Sequence, residues 1–215
     1  MTREQVIQKV LSKLDEVAPF DDSTIVTGAD SLANPVRAIV LELMDECANQ
    51  VLLDAPINSC PVTSFSSTIT LDITNASVDG VLTIQMAADF IKIATLDLSC
   101  WDRPISRTYP QDHPIYQLQR NKYTRGGLSK PVGILIKTPA GFNIECYTIT
   151  KPTSITGFVR TATYIKRTAI ELLPDNLIEL ATWLCAARVC QAIGRDSKII
   201  EEYSQAIAAL WSSQN

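Results

Sequence analysis

The chain has one histidine and six cysteines, and a Ser/His or Cys/His nucleophile system, or a thiolate zinc site, would have to use them. His113 lies between Asp112 and Pro114, a context typical of an exposed turn rather than of a paired general base. The cysteines include no Cys-x-x-Cys pair, although a zinc site needs closely spaced thiolates. We therefore expect no metal and mainly buried free thiols. The thiols are Cys47, Cys60, Cys100, Cys146, Cys185 and Cys190.

No phosphate-binding, dinucleotide-binding, serine-hydrolase or zinc-protease motif occurs in the sequence. Gly126-Gly127 alone is more typical of a hinge than of a phosphate cradle. Asp97 and Asp102, near the end of a predicted strand, are carboxylates on which an enzyme could be built, but isolated carboxylates are more often solvated or capping. We predict that the protein is not an enzyme and has no cofactor, and a carboxylate-based enzyme is an alternative.

Residues 101–130, which we call the basic–aromatic segment, combine cations and aromatic rings in a predicted loop over 99–131. Loops of this length inside a domain are usually functional or disordered, and aromatic and arginine side chains are typical of protein interfaces. A nucleic-acid surface and a solvated loop are the alternatives. The predicted interface consists of Trp101, Arg103, Arg107, Tyr109, Tyr116, Arg120, Lys122, Tyr123, Arg125 and Lys130.

Two helices are predicted before this region. Thr2 and Gln5 form a capping-box pattern, which satisfies two backbone donors at a helix start. Apolar residues then recur at helical spacing until Pro19, which ends the helix. A second helix follows Asn34 as N-cap and ends within residues 54–56.

Two further helices are predicted near the C-terminus. Asp175 or Asn176 caps the first, which is apolar on nearly every side as far as Ile193 and is closed by Gly194. Asp196 begins the last helix. Because a helix that apolar needs neighbours on several faces, we expect the N-terminal and C-terminal helices to form one bundle.

The middle of the chain changes to a two-residue period, which predicts antiparallel strands. Asp79-Gly80 joins the first two of them, and residues 139–141 form the turn of a later hairpin. The predicted strands are Thr68–Thr74, Val81–Met86, Phe90–Leu98, Val132–Thr138, Phe142–Ile149 and an edge strand over Ser154–Arg160.

These elements predict an α+β fold: two N-terminal and two C-terminal helices in a bundle, with a central antiparallel sheet and the long loop. The predicted domain organisation is residues 1–60 for the N-terminal helices, 61–165 for the β-rich middle and 166–215 for the C-terminal helices. The two helical parts are expected to form one structural domain.

The charge is unevenly distributed along the 215 residues, whose net charge is −4. Residues 111–170 hold 9 basic and 2 acidic residues, whereas the other segments are acidic. The whole chain lacks the cationic character typical of nucleic-acid or lipid binding. It shows neither a signal-peptide pattern nor an apolar run long enough to span a bilayer, so we expect a cytoplasmic product with no membrane partner.

Residues 170–194, IELLPDNLIELATWLCAARVCQAIG, resemble the C-terminal part of bacteriophage head-completion proteins. The resemblance lies in the Leu-Pro-Asp motif, in a helix with Leu184, Ala186 and Ala187 at its centre, and in a second amphipathic helix after it. With the N-terminal helix pair and the β-rich middle, the chain is similar to the head-to-tail adaptor, or tail tubular ring protein, of short-tailed phages, including the crAss-like phages.

The resemblance implies a structural virion protein that forms a homo-oligomeric ring, usually of twelve copies, beneath the portal protein. Its further partners would be tail proteins and double-stranded DNA, which passes through the lumen without specific binding. The family has no catalytic residues to transfer. Another head- or tail-completion protein and a nucleic-acid-binding module are the alternatives.

Opposite charges on two parts of a subunit favour head-to-tail contacts, which close into rings when the rotation allows. Reversing Arg120, Lys122 and Arg125 together should then block assembly while the monomer stays folded.

Overall fold

The computed structural model describes residues 1–17, 35–65, 71–72, 80–147, 149, 158–194 and 199–212, and it confirms a mixed α+β fold. The helices of this part of the chain are α1 (Arg3–Val17), α2 (Pro35–Asp54), α3 (Pro114–Arg120), α4 (Asp175–Ala192) and α5 (Ile199–Ser212). The strands are β1 (Thr63–Ser64), β2 (Leu71–Asp72), β3 (Val81–Gln85), β4 (Phe90–Leu98), β5 (Tyr109–Pro110), β6 (Gly133–Thr138), β7 (Gly141–Tyr147) and β8 (Val159–Lys166).

The chain divides into two compact units. Residues 1–61 and 167–215 form the first, which we call the helical unit, and residues 62–166 form the second, which we call the β unit. The helical unit also has short 3₁₀ turns at Ile57–Ser59 and Ile170–Leu172.

The helical unit is organised around α4, which contacts α1, α2 and α5. Its side chains are buried on several sides, as for Leu177, Ala181, Cys185 and Val189, and this explains why the sequence of α4 is apolar nearly all round. None of the helices in the described ranges combines the length and apolar character needed to cross a membrane.

The predicted start of α1 is confirmed in atomic detail. The backbone N–H of Thr2 donates to Gln5 Oε1 at 2.8 Å, and the N–H of Gln5 donates to Thr2 Oγ1 at 3.3 Å. This reciprocal pair is the capping box, which satisfies two donors that the helix itself leaves open. The predicted helix end at Pro19 and the predicted cap at Asn34 lie outside the described residues.

Of the two predicted ends of α4, the C-terminal one is confirmed and the N-terminal one is wrong. Gly194 has φ +72° and donates its N–H to the Gln191 carbonyl at 3.1 Å, so the predicted C-terminal glycine cap is confirmed. The N-cap prediction is wrong, because the cap position is Pro174 and no side chain caps the helix there. Asp175 is instead the first helical residue, where its carboxylate favours the positive end of the helix dipole. Asp196 lies outside the described residues.

The described strands of the β unit form two sheets, not the single sheet predicted. One has the order β1-β8-β4 and the other β2-β3-β7-β6-β5. All neighbouring strands are antiparallel except β5 and β6, which are parallel. The prediction failed because β4 pairs with β8, far away in sequence, rather than with the preceding strand.

The last strand also differs from its prediction. An edge strand was expected over Ser154–Arg160, but β8 starts at Val159 and lies between β1 and β4 in its sheet. Residues 154–157 lie outside the described residues. The predicted hairpin is confirmed, since β6 and β7 pair from Gly133↔Cys146 to Thr138↔Gly141.

Side chains of both sheets form one hydrophobic core in the β unit. Leu82 and Ile144 come from the five-stranded sheet, and Phe90 and Tyr164 from the three-stranded sheet. The rings of Phe90 and Tyr164 stack with their centroids 6.0 Å apart. Each sheet buries one face in this shared core, and this packing holds together strands that lie far apart in the sequence.

Candidate functional site

The basic–aromatic segment is tied to the β unit by backbone hydrogen bonds. Leu96 and Ile105 exchange two backbone bonds of 2.9 Å, and the N–H of Asp102 donates to the Leu128 carbonyl at 3.1 Å. The segment also contains β5 and the seven-residue helix α3. The predicted loop over 99–131, poor in regular structure, therefore contains one short strand and one short helix. A short helix with no amphipathic repeat gives little signal in a sequence.

Trp101 is not part of a surface. Its side chain is only 2% exposed and belongs to the hydrophobic core of the β unit. Its backbone N–H donates to the Leu98 carbonyl at 2.9 Å, which turns the chain inward at the end of β4. The prediction that Trp101 is an interface residue is therefore wrong. The sequence does not distinguish an aromatic ring buried in the core from one exposed at the surface when both lie beside arginines.

The chain's only histidine starts α3. His113 is its N-cap, and His113 Nδ1 accepts a hydrogen bond from the backbone N–H of Ile115 at 3.2 Å. The His113 ring also packs on Tyr109, with centroids 4.8 Å apart. The histidine therefore has a structural role here: it satisfies a helix donor and orders the turn between β5 and α3.

The C-terminal end of α3 is closed by the residues that follow it. Arg125 Nε donates to the Gln119 carbonyl at 2.6 Å, and Thr124 Oγ1 donates to the Leu118 carbonyl at 2.7 Å. The side chain of Gln119, which is buried, accepts from the backbone N–H of Gly126 at 3.2 Å. A Cβ at Gly126 would lie 2.3 Å from the Lys130 carbonyl oxygen, so only glycine fits this turn.

Arg125 also packs against the sheet. Its guanidinium lies 5.4 Å from the ring centroid of Tyr147, a buried residue whose hydroxyl donates to Glu145 Oε2 at 2.6 Å. Burial, reinforced by the hydrogen bond to Glu145, raises the pKa of Tyr147 above its ordinary value. Tyr147 is thus a neutral donor and a ring for Arg125. Arg125 holds the segment in place, which the sequence did not indicate.

The remaining predicted interface residues lie at the surface of the β unit. Three cations rest on rings of the segment: Arg107 lies 5.1 Å from the centroid of Tyr109, Arg120 5.9 Å from that of Tyr116, and Lys122 5.1 Å from that of Tyr123. Such contacts limit the positions of flexible cations without neutralising them. The exposed or half-buried residues of this surface, which we call the basic–aromatic surface, are Arg103, Arg107, Tyr109, Tyr116, Arg120, Lys122, Tyr123 and Lys130.

Two apolar groups stand out on this surface. Tyr123 is 84% exposed, and Leu118 on α3 is 50% exposed. Leu118 was missed in the sequence, because it became a candidate only once α3 was seen to place it outward. A large ring and an aliphatic side chain beside cations are the composition of an interface anchor.

The two carboxylates on which an enzyme could be built, Asp97 and Asp102, have different surroundings. Asp97 Oδ2 lies 3.8 Å from Arg160 Nη1, and Asp102 is exposed. The six cysteines form no disulfide; five are buried and Cys100 is half-buried. In the part of the chain that the structure describes, no three His, Cys, Asp or Glu residues are grouped so that they could hold a metal ion.

The two units carry opposite charge. The helical unit has 8 basic and 16 acidic residues, a net charge of −8, and the β unit has 11 basic and 7 acidic residues, a net charge of +4. The basic–aromatic surface contributes five exposed cations to the β unit: Arg103, Arg107, Arg120, Lys122 and Lys130.

Comparison with known proteins adds no family to this description. No protein-family model matches the chain, and no curated protein matches its sequence.

Proposed function

We propose that the protein is a structural subunit of a homo-oligomeric ring, and that the ring is the head-to-tail adaptor between the portal protein and the tail proteins of a short-tailed phage. The observation that carries this proposal is the opposite charge of the two units, −8 and +4. A subunit of this kind attracts a second copy through unlike surfaces, which is the head-to-tail contact that closes into a ring.

The basic–aromatic surface is the proposed contact on the basic side. Its cations are spaced along a chain segment held in place by Arg125 and by the turn around Gly126, so little conformational freedom would be lost on binding. Tyr123 and Leu118 supply exposed apolar area in the same segment. The neighbouring subunit would supply its acidic helical unit, in which the four helices are proposed to form a bundle.

A ring of this type would pass double-stranded DNA through its lumen without binding it specifically. A lumen lined by acidic or neutral residues suits that role, because phosphates must slide rather than bind. The helical unit is the acidic candidate for such a lining. The proposed location is the virion, after synthesis in the host cytoplasm.

Specific nucleic-acid binding by the basic–aromatic surface is less well supported. Base stacking needs open ring faces, but Tyr109 already contacts the His113 ring, with centroids 4.8 Å apart, and the Arg107 guanidinium, 5.1 Å from its centroid. Tyr123 is the most exposed ring among the described residues of the surface, at 84%, although Lys122 lies 5.1 Å from its centroid. One ring beside cations fits a protein anchor better than a stacking platform.

Native mass spectrometry and negative-stain imaging of the purified protein, alone and mixed with a portal ring, test the proposal. We expect a ring, or a monomer that assembles on the portal, and we expect assembly to weaken as salt screens the charges. A protein that stays monomeric with the portal ring at every salt concentration would refute the proposal. Tight, salt-dependent binding of short DNA or RNA by the monomer would favour the nucleic-acid module.

Charge reversal tests the surface itself. The variant Arg107→Glu/Arg120→Glu/Lys122→Glu should abolish assembly, since like charges forced together at an interface cost several kcal/mol. It should leave the thermal midpoint nearly unchanged, since each side chain is exposed. Arg125 is excluded from the set because it closes α3. Arg167→Glu, an exposed reversal on the helical unit, is the control and should assemble normally.

A further inference from the structure

Strand β6 has an incomplete neighbour on its outer edge. It pairs with β7 along its whole length, but its ladder with β5 consists of Tyr109↔Ile134 and Pro110↔Leu135. Beyond Leu135, no described strand lies beside the outer edge of β6. The last residues of this strand are therefore an open sheet edge within the described part of the chain.

The backbone of Lys137 faces that open edge. Lys137 lies opposite Phe142 in the β6–β7 register, and the Phe142 carbonyl accepts from the N–H of Met86, on the other side of β7, at 2.9 Å. Antiparallel pairs alternate between bonded and non-bonded, so Phe142 and Lys137 form a non-bonded pair. The N–H and C=O of Lys137 consequently point away from β7, towards the edge that β5 leaves uncovered.

An open groove of about 470 Å³ lies beside this edge. Leu135 and Phe142 give it apolar walls, and Lys137 and Asp112 are its charged residues. Pro110 and Gln111 complete the lining, where the chain turns out of β5 towards α3. The groove and the free backbone groups therefore lie at the same place.

The charge at the edge selects the occupant. Lys137 is exposed, and a lysine on a sheet edge disfavours pairing with an identical edge, because two-fold pairing about this position would bring two lysines together. The same lysine attracts a carboxylate. Asp112 would repel a second acid, so an acidic side chain fits the Lys137 end of the groove only.

We propose that the Lys137 edge of β6 is a docking site for an extended segment of a partner protein, which adds as a strand beside β6. Its main chain would pair with the N–H and C=O of Lys137, one apolar side chain would enter the groove between Leu135 and Phe142, and one carboxylate would meet the Lys137 amine. This is strand addition, in which backbone bonds give affinity and alternate side chains give specificity. The proposal does not depend on the ring.

The test uses the full chain and three labelled, end-capped peptides of eight residues. The first alternates threonine and leucine and contains one glutamate, the second has lysine in place of the glutamate, and the third is the first peptide with N-methyl groups on alternate amides. Fluorescence polarisation measures affinity, and hydrogen exchange locates the site. We expect the glutamate peptide to bind about fivefold more tightly than the lysine peptide and the N-methylated peptide not to bind.

Variants make the assignment specific. Lys137→Glu should reverse the preference between the two charged peptides, whereas Arg167→Glu, an exposed reversal outside the groove lining and outside the basic–aromatic surface, should leave it unchanged. Bound peptide should protect the Lys137 amide from exchange. Absence of this protection, equal binding of the N-methylated peptide, or an unchanged preference in Lys137→Glu would overturn the proposal. So would a dimer of the free chain in which the same amide is already protected, because a second copy would then be the occupant.

Discussion

The helical unit and the β unit use their cations in different ways. In the helical unit, five described cations bind carboxylates on another element of the same unit: Arg3 to Asp45 and Glu171, Lys9 and Lys13 to Glu179, Arg37 to Glu4, and Arg188 to Glu46. In the basic–aromatic segment, Arg107, Arg120 and Lys122 lie on tyrosine rings and keep their charge available.

The difference shows that net charge and available charge are separate properties. The helical unit uses its few cations to join helices, so its surplus of carboxylates is left to the surface. Lys13 is the extreme case, since only 8% of it is exposed and its amine lies between Glu179 and the ring of Trp183, 3.5 Å from the ring centroid. The β unit positions its cations without neutralising them, which suits contact with a partner.

Substitution of Trp101 should have the largest effect on stability, because this ring lies in the core of the β unit and not with the exposed rings of the segment. Trp101→Ala should lower the free energy of unfolding by about 3–5 kcal/mol. Trp101→Phe is the matched control. It keeps an aromatic ring and removes Nε1, which has no hydrogen-bond partner among the described residues, so its effect should be clearly smaller. Urea unfolding followed by circular dichroism measures both. If Trp101→Ala lowers the free energy of unfolding by less than about 1 kcal/mol, the ring is not a core residue and Trp101 again becomes a candidate for the interface.

The burial of Trp101 depends on long-range packing, which the sequence does not reveal, whereas local features are predictable. The capping box of α1, the glycine at the end of α4 and the β6–β7 hairpin were predictable because each depends on residues close together in the chain. The pairing of β4 with β8 joins residues about 70 positions apart, such as Leu96 and Ala162, and leaves no local signal.

The candidate site was predictable in composition but not in arrangement. The sequence identified the cations and aromatic residues because they are concentrated in residues 101–130. Their different roles depend on the β unit beneath them: Trp101 lies in the core, Arg125 closes α3 and the others lie at the surface. The groove beside Lys137 was not predicted at all, because it arises where β5 ends short of its parallel neighbour.

Acid should weaken the helical unit. Burial alone would raise the pKa of Glu179, but the hydrogen bond and charge of Lys13, together with Lys9, outweigh it and lower the pKa below its ordinary value. The hydrogen bonds that the Glu4 carboxylate accepts from Arg37 and Gln8 lower its pKa from 4.5 to about 2. A carboxylate whose pKa is lower in the folded than in the unfolded state stabilises the fold at pH values above its unfolded pKa. This stabilisation is lost as the pH falls through the folded pKa, so the free energy of unfolding should decline between about pH 4.5 and pH 2.

Thermal unfolding from pH 6 to pH 2, with hydrogen exchange read separately for α1 and β4, checks this. Glu179→Gln should weaken the unit by about 1–2 kcal/mol at neutral pH, because it leaves the mostly buried Lys13 without its carboxylate. It should also lose less on acidification than the wild type. A helical unit whose exchange protection factors, which are corrected for the intrinsic rate at each pH, are the same at pH 6 and pH 2 would show that these ion pairs do not stabilise it.

The smallest effect separates two cations that lie three residues apart. Arg125 donates to the Gln119 carbonyl at 2.6 Å and packs on Tyr147, so Arg125→Ala should lower the free energy of unfolding by about 1 kcal/mol and increase exchange in α3. Lys122 is exposed and lies on Tyr123, itself 84% exposed, so Lys122→Ala should change stability by less than about 0.5 kcal/mol. Assembly should respond in the opposite order, because only Lys122 has its charge at the surface proposed to meet an acidic neighbour. If both variants lower stability equally, the whole segment is structural, and the division between positioned and structural cations in the β unit fails. If Lys122→Ala changes neither stability nor assembly, its cation is simply solvated, and the basic–aromatic surface does not include it.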